Sequence, residues 1–573
     1  MLGRLFRHLR SVLVGSAADD RASAADRAAA AAPAVTAAST VPIATAPAPD
    51  TAAAPGASEL IDEGLRQRQR TGVEAARPYF EKAAKLEPNS HVPWFMLGNV
   101  ASELGDLDTA VAHYAHARDL HPTDHVIRYN LGLNQLWRGY IDSAIDELRR
   151  ACELNPSHLQ AQSSHIMALH NSDRIEPEEI DVVIREWGAG FSLEHPASGL
   201  PTVNRDPGNR ERLRVGFISG DFRTHSVAHF FEPILSARDR SSLTYILYSN
   251  SHIKDSVTER LRASADGWHD IWQLTDDALI ELIRGDGIDI LVDLSGHTVF
   301  NRLAVFARRA SPVQVSYLGY PASTGLATMD FRITDAVTDP PIPADEWHCE
   351  HLLRMPDTQW CFRPFGTPEV QSSLPAHATG FVTFGSFNNL TKASDTLLRC
   401  WIEILVKLPS SRLRLTRVRS TQRISEIIAL FGNYGVSPNR IECMSWANEP
   451  PYGQQFEGVD IALDNYPYNG VTTTCESLYV GVPVISLHGR TGVSRSGLSI
   501  LGTLGLADLV ASTPEQYVEM AVSLGSDLSR LEQLRASLRP RFEQSSLRDE
   551  KRFAANFERL LRAAWEQHFE RSN

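Results

Sequence analysis

Cysteine is scarce in this chain of 573 residues. The six cysteines are Cys152, Cys349, Cys361, Cys400, Cys443 and Cys475, and no two form a Cys-x-x-Cys pair. A disulfide scaffold and a zinc ribbon are thereby excluded. A reducing compartment becomes the expectation, so the chain reads as cytoplasmic. Long hydrophobic runs are missing too; no apolar stretch nears the roughly 18 residues of a spanning helix. Basic charge is in deficit, with 56 Lys and Arg against 69 Asp and Glu and a net charge of −13. Phosphate backbones attract basic surfaces, so nucleic acid is not expected as a partner. Gly-x-Ser-x-Gly, a Walker-type loop and Gly-x-Gly-x-x-Gly are all absent. That weighs against serine hydrolase, P-loop and dinucleotide enzymes. What remains is an ordinary globular composition, 43% hydrophobic and 22% charged.

The first 14 residues, MLGRLFRHLRSVLV, place Leu2, Leu5, Phe6, Leu9 and Val12 at helical spacing among arginines. One reading is a basic amphipathic helix that touches an anionic membrane. A solvated leader or a misassigned start is the plainer reading and is preferred. Residues 15–56 are dominated by Ala with Pro, Thr and Ser, which bury too little apolar surface to offset chain entropy. The segment 1–56 is therefore read as a disordered leader.

Beyond the leader the sequence repeats itself with a period of 34. Pro88, Pro122 and Pro156 recur at that interval, as do Leu86, Leu120 and Leu154. Leu97-Gly98 returns as Leu131-Gly132, Gly105 as Gly139, Ala110 as Ala144, and Phe80 as Tyr114. Small residues allow two helices to approach, an aromatic fills the gap, and proline stops the second helix. The pattern resembles the tetratricopeptide repeat, with about three repeats between residues 57 and 156. Further helices, through EPEEIDVVIREWG at 176–188, join the stack to the C-terminal two thirds of the chain. Such a stack offers a concave groove to protein or peptide segments.

From Leu213 the period changes. Apolar runs at 213–220, 243–249, 288–296 and 313–320 alternate with helical stretches such as 276–284 and 302–309. A break at 364–379 reads as a linker. A second series then places strands at 381–387, 412–416, 440–444, 459–464 and 482–487, with helices at 394–407 and 513–525. Alternation of this kind predicts two parallel sheets facing a cleft at their strand ends. The expected domains are 57–197, 198–372 and 373–547, followed by an amphipathic helix over 548–573.

Three strand-end segments could carry chemistry. In DNYPYNGVTTTCESLYVGVPV (464–484), Thr472 and Thr473 stand where a helix start leaves N–H groups unpaired, which suits a phosphate. Thr473 and Glu476 also have capping-box spacing, and the two readings stand level. In FGSFNNLTKASDTLLRCW (384–401), Lys392 could neutralise a diphosphate while Asn389 donates a hydrogen bond. In SGDFRTHSVAHFFEP (219–233), His225 could orient or deprotonate an acceptor hydroxyl. His229 lies four residues on, but a third ligand with metal spacing is lacking, so no metal is expected. His297 is equally suited to core and cleft. The only Asp-x-Asp, Asp106-Leu107-Asp108, falls inside a repeat and is expected to lie far from the cleft.

These segments, together with DILVDLSGHTVFNRLAVFARRASPVQVSYLGYP and MDFRITDAVTDPP, resemble the SPINDLY and O-GlcNAc transferase family, glycosyltransferase family 41. The resemblance runs from about residue 57 to the end. It implies a GT-B fold, two Rossmann-like halves behind a helical repeat superhelix. It also implies an inverting transfer from a nucleotide sugar to protein, without metal or cofactor. By that resemblance Lys392 grips the diphosphate, Asn389, Thr472 and Thr473 contact phosphates, and Glu476 binds the ribose hydroxyls. His225 faces sugar and acceptor. Leu318, Gly319, Tyr320 and Pro321 line the sugar pocket, and Ala447, Tyr452, Asn469 and Gly470 complete the nucleotide-sugar set. Animal members carry a lysine and a histidine near the base and ribose, where this chain has Glu449 and Tyr452. The implied activity is transfer of GlcNAc from UDP-GlcNAc to Ser or Thr of proteins. GDP-fucose is the alternative donor, because the TTTCES run looks closer to the plant SPINDLY branch. Asparagine-linked glucosyl transfer and a non-catalytic scaffold are the remaining alternatives.

Overall fold

Residues 55–197, 212–366, 373–445 and 453–572 are described by the structure, a computed structural model. Residues 1–54 of the leader and the segment carrying Ala447, Glu449 and Tyr452 lie outside them. The period of 34 becomes helix pairs: Ala57–Thr71 with Arg77–Leu86, His91–Glu103 with Leu107–Leu120, and His125–Trp137 with Ile141–Leu154. One close approach per pair explains the period. A Cβ on Gly98 would stand 2.6 Å from the Tyr114 ring, and Gly64 meets Phe80 in the same way one period earlier. Tyr114 is fully buried, and its hydroxyl donates to Asn99 Oδ1 at 2.8 Å. Burying a side chain of this size stabilises by about 1.5–3 kcal/mol. Helices Leu159–Leu169 and Pro177–Glu194 then carry the stack onto the first sheet.

That sheet contains β1 (Leu213–Ser219), β2 (Leu243–Ser249), β3 (Gly267–Asp270), β4 (Ile290–Asp293), β5 (Val313–Ser316), β6 (Phe331–Asp335) and β7 (His351–Met355). The second contains β8 (Thr383–Ser386), β9 (Arg412–Val418), β10 (Ile441–Ser445), β11 (Ile461–Leu463), β12 (Val484–Leu487) and β13 (Val510–Ala511). Their orders are β3-β2-β1-β4-β5-β6-β7 and β10-β9-β8-β11-β12-β13, parallel throughout. Each order reverses once, between β1 and β4 and between β8 and β11. Open α/β sheets bind ligands outside the carboxyl ends at such points.

The segment read as a linker, 364–379, ends in a short helix, Pro375–Thr379, whose Ala376 N–H donates to Asp460 at 2.9 Å. The Asp-x-Asp stands at the start of a repeat helix, Leu107–Leu120. Asp106 caps its own helix through the Thr109 N–H. Asp108 instead caps helix Thr421–Gly432 of the second half, accepting from Ser420 Oγ, Thr421 Oγ1 and the Gln422 N–H. It also pairs with the Arg138 guanidinium at 2.8 Å. The final helix, Glu550–Ser572, returns to the first sheet and lays Phe557 on Phe217 and Tyr317.

Asp108→Ala should therefore loosen the joint between repeats and second sheet. It removes a helix cap and leaves the nearly buried Arg138 without that carboxylate, a combined cost of about 1–3 kcal/mol. Hydrogen exchange should speed up in residues 421–426. Unchanged exchange there would show that the contact does not hold the joint.

Candidate active site

The loop after β8 and the turn after β11 meet at the second switch point. Asp464 directly follows β11 and is buried. Its Oδ1 accepts the N–H groups of Asn465 and Gly470, each at 2.8 Å, and its Oδ2 accepts Ser486 Oγ at 2.7 Å. The carboxylate thus folds residues 464–470 into a tight turn. Burial pushes its pKa up to about 6, although these hydrogen bonds and Lys392 act the other way.

Asn388 links this turn to the β8 loop. Its Nδ2 lies 3.4 Å from Asp464 Oδ1, and its Oδ1 accepts Thr473 Oγ1 at 2.8 Å. A side chain on Gly470 would strike both Asn388 and Thr473. Glycine is therefore needed where the two loops touch. Asn389 accepts the Thr391 N–H through Oδ1, which closes a short helical turn, Leu390–Lys392. Its amide nitrogen is left to donate.

Lys392 stands at the end of the β8 loop. It is half-buried, with Nζ 4.1 Å from the centre of the Tyr468 ring. Burial lowers its pKa to about 8, against the attraction of Asp464 and with the repulsion of Arg417. A cation on an aromatic face with a costly charge is primed for an anionic partner.

The helix Thr472–Tyr479 starts beside it. Its N-cap is Val471, and no side chain caps it. The Thr473–Glu476 capping box does not form: Thr473 already lies inside the helix, whose N-cap is Val471, and its Oγ1 is turned to Asn388. The helix start thus keeps its backbone donors and positive dipole for a ligand. Glu476, one turn on, faces the first half across the cleft, with Oε1 3.9 Å from His229 Nε2.

His229 donates Nδ1–H to the Arg363 carbonyl at 2.7 Å and stacks on Phe365. That bond leaves the lone pair on Nε2. Burial holds the pKa down to about 4, so the ring is neutral. The neutral Nε2 of His229 thus presents an acceptor towards Glu476 across the cleft. His225, at the start of the same helix, accepts the Val227 N–H at Nδ1 (3.3 Å) and lies 3.5 Å from Asp221 Oδ2. Burial lowers its pKa too. With Nδ1 an acceptor, the proton sits on Nε2, and His225 presents a donor.

Leu318 has φ +73°, and Gly319 packs against the Leu294 carbonyl where no Cβ fits. The Pro321 carbonyl lies against Gly492 of the second half, so this loop spans both halves. Tyr320 turns away from the cleft: it is buried, with its hydroxyl 2.7 Å from His170 Nε2. Asn469 is equally internal, its amide donating to the carbonyls of Asn465 and Leu487. It holds the turn rather than a ligand. His297 is a core residue between Ser163 and Thr324. Asp464, Asn388, Tyr468 and His229 complete the site. None of the four was assigned to the site from sequence: His229 was weighed only as a metal ligand, Asn388 stood beside Asn389 without a role, and the only signal for Asp464 and Tyr468 was their place beside the Asn469-Gly470 turn.

A model of glycosyl transferase family 41 matches residues 199–362 and 367–557, and a tetratricopeptide repeat model matches residues 79–112. A Petunia hybrida protein named "Probable UDP-N-acetylglucosamine–peptide N-acetylglucosaminyltransferase SPINDLY" is 35% identical over 420 residues, covering 72% of this chain and 45% of the relative. A Caenorhabditis elegans UDP-N-acetylglucosamine–peptide N-acetylglucosaminyltransferase is 26% identical over 477 residues, covering 63% and 41%. The chain spans about half the length of these curated relatives. A solved Thermobaculum terrenum O-GlcNAc transferase mutant is 33% identical with a TM-score of 0.81, and the match covers 90% of this chain and 98% of that one.

Proposed function

Because the chain belongs to glycosyl transferase family 41, we propose that it is a protein O-glycosyltransferase, inverting and metal-independent, that moves GlcNAc from UDP-GlcNAc to Ser or Thr of protein acceptors. The observation that carries this reading is the pairing of Lys392 with the uncapped helix start at Thr472 and Thr473. In glycosyl transfer the bond from anomeric carbon to diphosphate breaks and negative charge grows on the leaving group. A buried ammonium and fixed N–H donors stabilise that charge without reorganising. Asn389 Nδ2 adds a donor. Glu476 and His229 together suit the ribose hydroxyls. An acceptor hydroxyl attacks the opposite face of the sugar. His225 positions it through Nε2–H, and a donor phosphate oxygen takes the proton. The repeat groove presents the acceptor chain. No cofactor is needed beyond the donor. No Asp-x-Asp lies in either α/β half, so the diphosphate depends on Lys392.

A second reading keeps the site and changes the donor to GDP-fucose. Its support is the resemblance of the TTTCES run to the plant SPINDLY branch, together with 33–36% identity to curated SPINDLY relatives against 26–29% to two curated relatives named otherwise; the solved O-GlcNAc transferase, also 33% identical, keeps UDP-GlcNAc first.

Full-length protein should be incubated with labelled UDP-GlcNAc or GDP-fucose and a protein extract, with acceptor sites mapped by mass spectrometry. Sugar on Ser or Thr from UDP-GlcNAc is the expected result. Transfer only from GDP-fucose would replace the donor, and sugar on Asn would overturn the O-linked reading. Donor turnover should be unchanged in excess EDTA. Loss with EDTA and rescue by manganese would overturn metal independence.

A further inference from the structure

The repeat stack contains a second cluster of chemistry-bearing side chains, unconnected with the cleft. His91 opens helix His91–Glu103, His121 follows helix Leu107–Leu120, and Asp124 caps helix His125–Trp137. One ligand-type atom from each lies within 4.8 Å of the other two. The two imidazole rings are 4.5 Å apart between centres. Asp124 uses Oδ1 for its cap, accepting from the Val126 and Ile127 N–H groups. Its Oδ2 remains available, and neither imidazole makes a side-chain hydrogen bond among the described residues. Three lone-pair donors therefore converge with no proton shared between them.

The next repeat shows what this place in the stack does without a spare ligand set. Thirty-four residues on, the same three positions carry His125, Asn155 and His158. There Asn155 Nδ2 donates to His125 Nε2 at 3.1 Å, and His125 Nδ1–H donates to His158 Nδ1 at 3.1 Å. That junction closes by hydrogen bonds. One period before His91 the positions hold Ala57, Glu87 and Ser90, with no imidazole. Repeat geometry thus brings these three side chains together twice, and only the set at His91 consists of a carboxylate and two imidazoles without a bond.

We propose that His91, His121 and Asp124 bind a divalent transition ion of the zinc type and that the ion braces one repeat against the next. Two imidazoles and one carboxylate plus water make a four-coordinate zinc set. Ligand atoms on one tetrahedral zinc are about 3.3 Å apart, given bonds of roughly 2.0–2.1 Å. His91 and Asp124 are half-buried and His121 is exposed, so small side-chain rotations close the set. Nitrogen ligands select against magnesium, which prefers oxygen.

The test is calorimetric titration of untagged, metal-stripped full-length protein with zinc chloride. One equivalent should bind with a dissociation constant below about 10 µM. His91→Ala and His121→Ala should each weaken binding by about 100-fold or more, beyond what loss of an outer-shell partner costs. Asp124→Asn retains the helix cap, because asparagine caps as well as aspartate, yet should also bind more weakly. His125→Ala should bind like wild type. Zinc affinity equal in wild type, His91→Ala and Asp124→Asn would overturn the site, as would no binding in wild type or magnesium binding as tight as zinc.

Discussion

Lys392→Ala is expected to lower transfer about 100- to 1,000-fold while the protein stays folded. One ammonium carries much of the charge that compensates a diphosphate here. Its hydrogen bonds to phosphate are charge-assisted and roughly twice as strong as neutral ones. Removing one pre-organised donor to developing charge costs about 2.7–4 kcal/mol of barrier. Folding does not depend on that charge. The native pKa of about 8 lies below the ordinary 10.5, so the unfolded chain binds this proton more readily than the fold does. The ammonium therefore works against stability at pH 7, an effect relieved as pH rises from about 8 towards 10.5. Lys392→Arg should recover little, because a planar fork on Tyr468 cannot stand where a point charge did. The measurement is steady-state transfer by folded Lys392→Ala. A rate within about threefold of wild type, under 1 kcal/mol, would show that the lysine plays no part in the chemistry.

The repeats were legible because their packing is local and recurrent. Gly98 and Tyr114 must be close, and the same need returns every 34 residues. Strands such as β2 were legible because apolar and aromatic residues dominate LTYILYS, as in a sheet covered on both faces. β3, with the sequence GWHD, and the two-residue β13 carry no such run. The candidate site was legible where a strand end meets a helix start, as at Lys392 and Thr472. It was not legible where a side chain's partner is far along the chain. Asp108 caps a helix more than 300 residues away, and Tyr320 bonds to His170 across 150 residues. Thr473 shows the limit of local spacing. Its capping-box partner is at the right interval, yet Asn388, 85 residues earlier, takes its hydroxyl.

The pH dependence of donor use should reveal the same lysine from a different direction. In the free enzyme Lys392 has a pKa of about 8, set by burial and by Arg417 against the pull of Asp464. Only the protonated form can hold the diphosphate, and kcat/KM reports the free enzyme. kcat/KM for the donor should therefore fall as pH rises through about 8, roughly tenfold per unit above it, or about 100-fold by pH 10. Bound donor places negative charge beside the ammonium and raises its pKa, so the basic limb of kcat should move to higher pH. Binding weakens before turnover does. Arginine stays charged throughout this range, so Lys392→Arg should be slow yet lack the limb near pH 8. Paired kcat and kcat/KM profiles between pH 6 and 10 check this. A wild-type kcat/KM that stays flat to pH 10, or the same limb in Lys392→Arg, would assign the titration elsewhere and remove Lys392 as the charge that holds the leaving group.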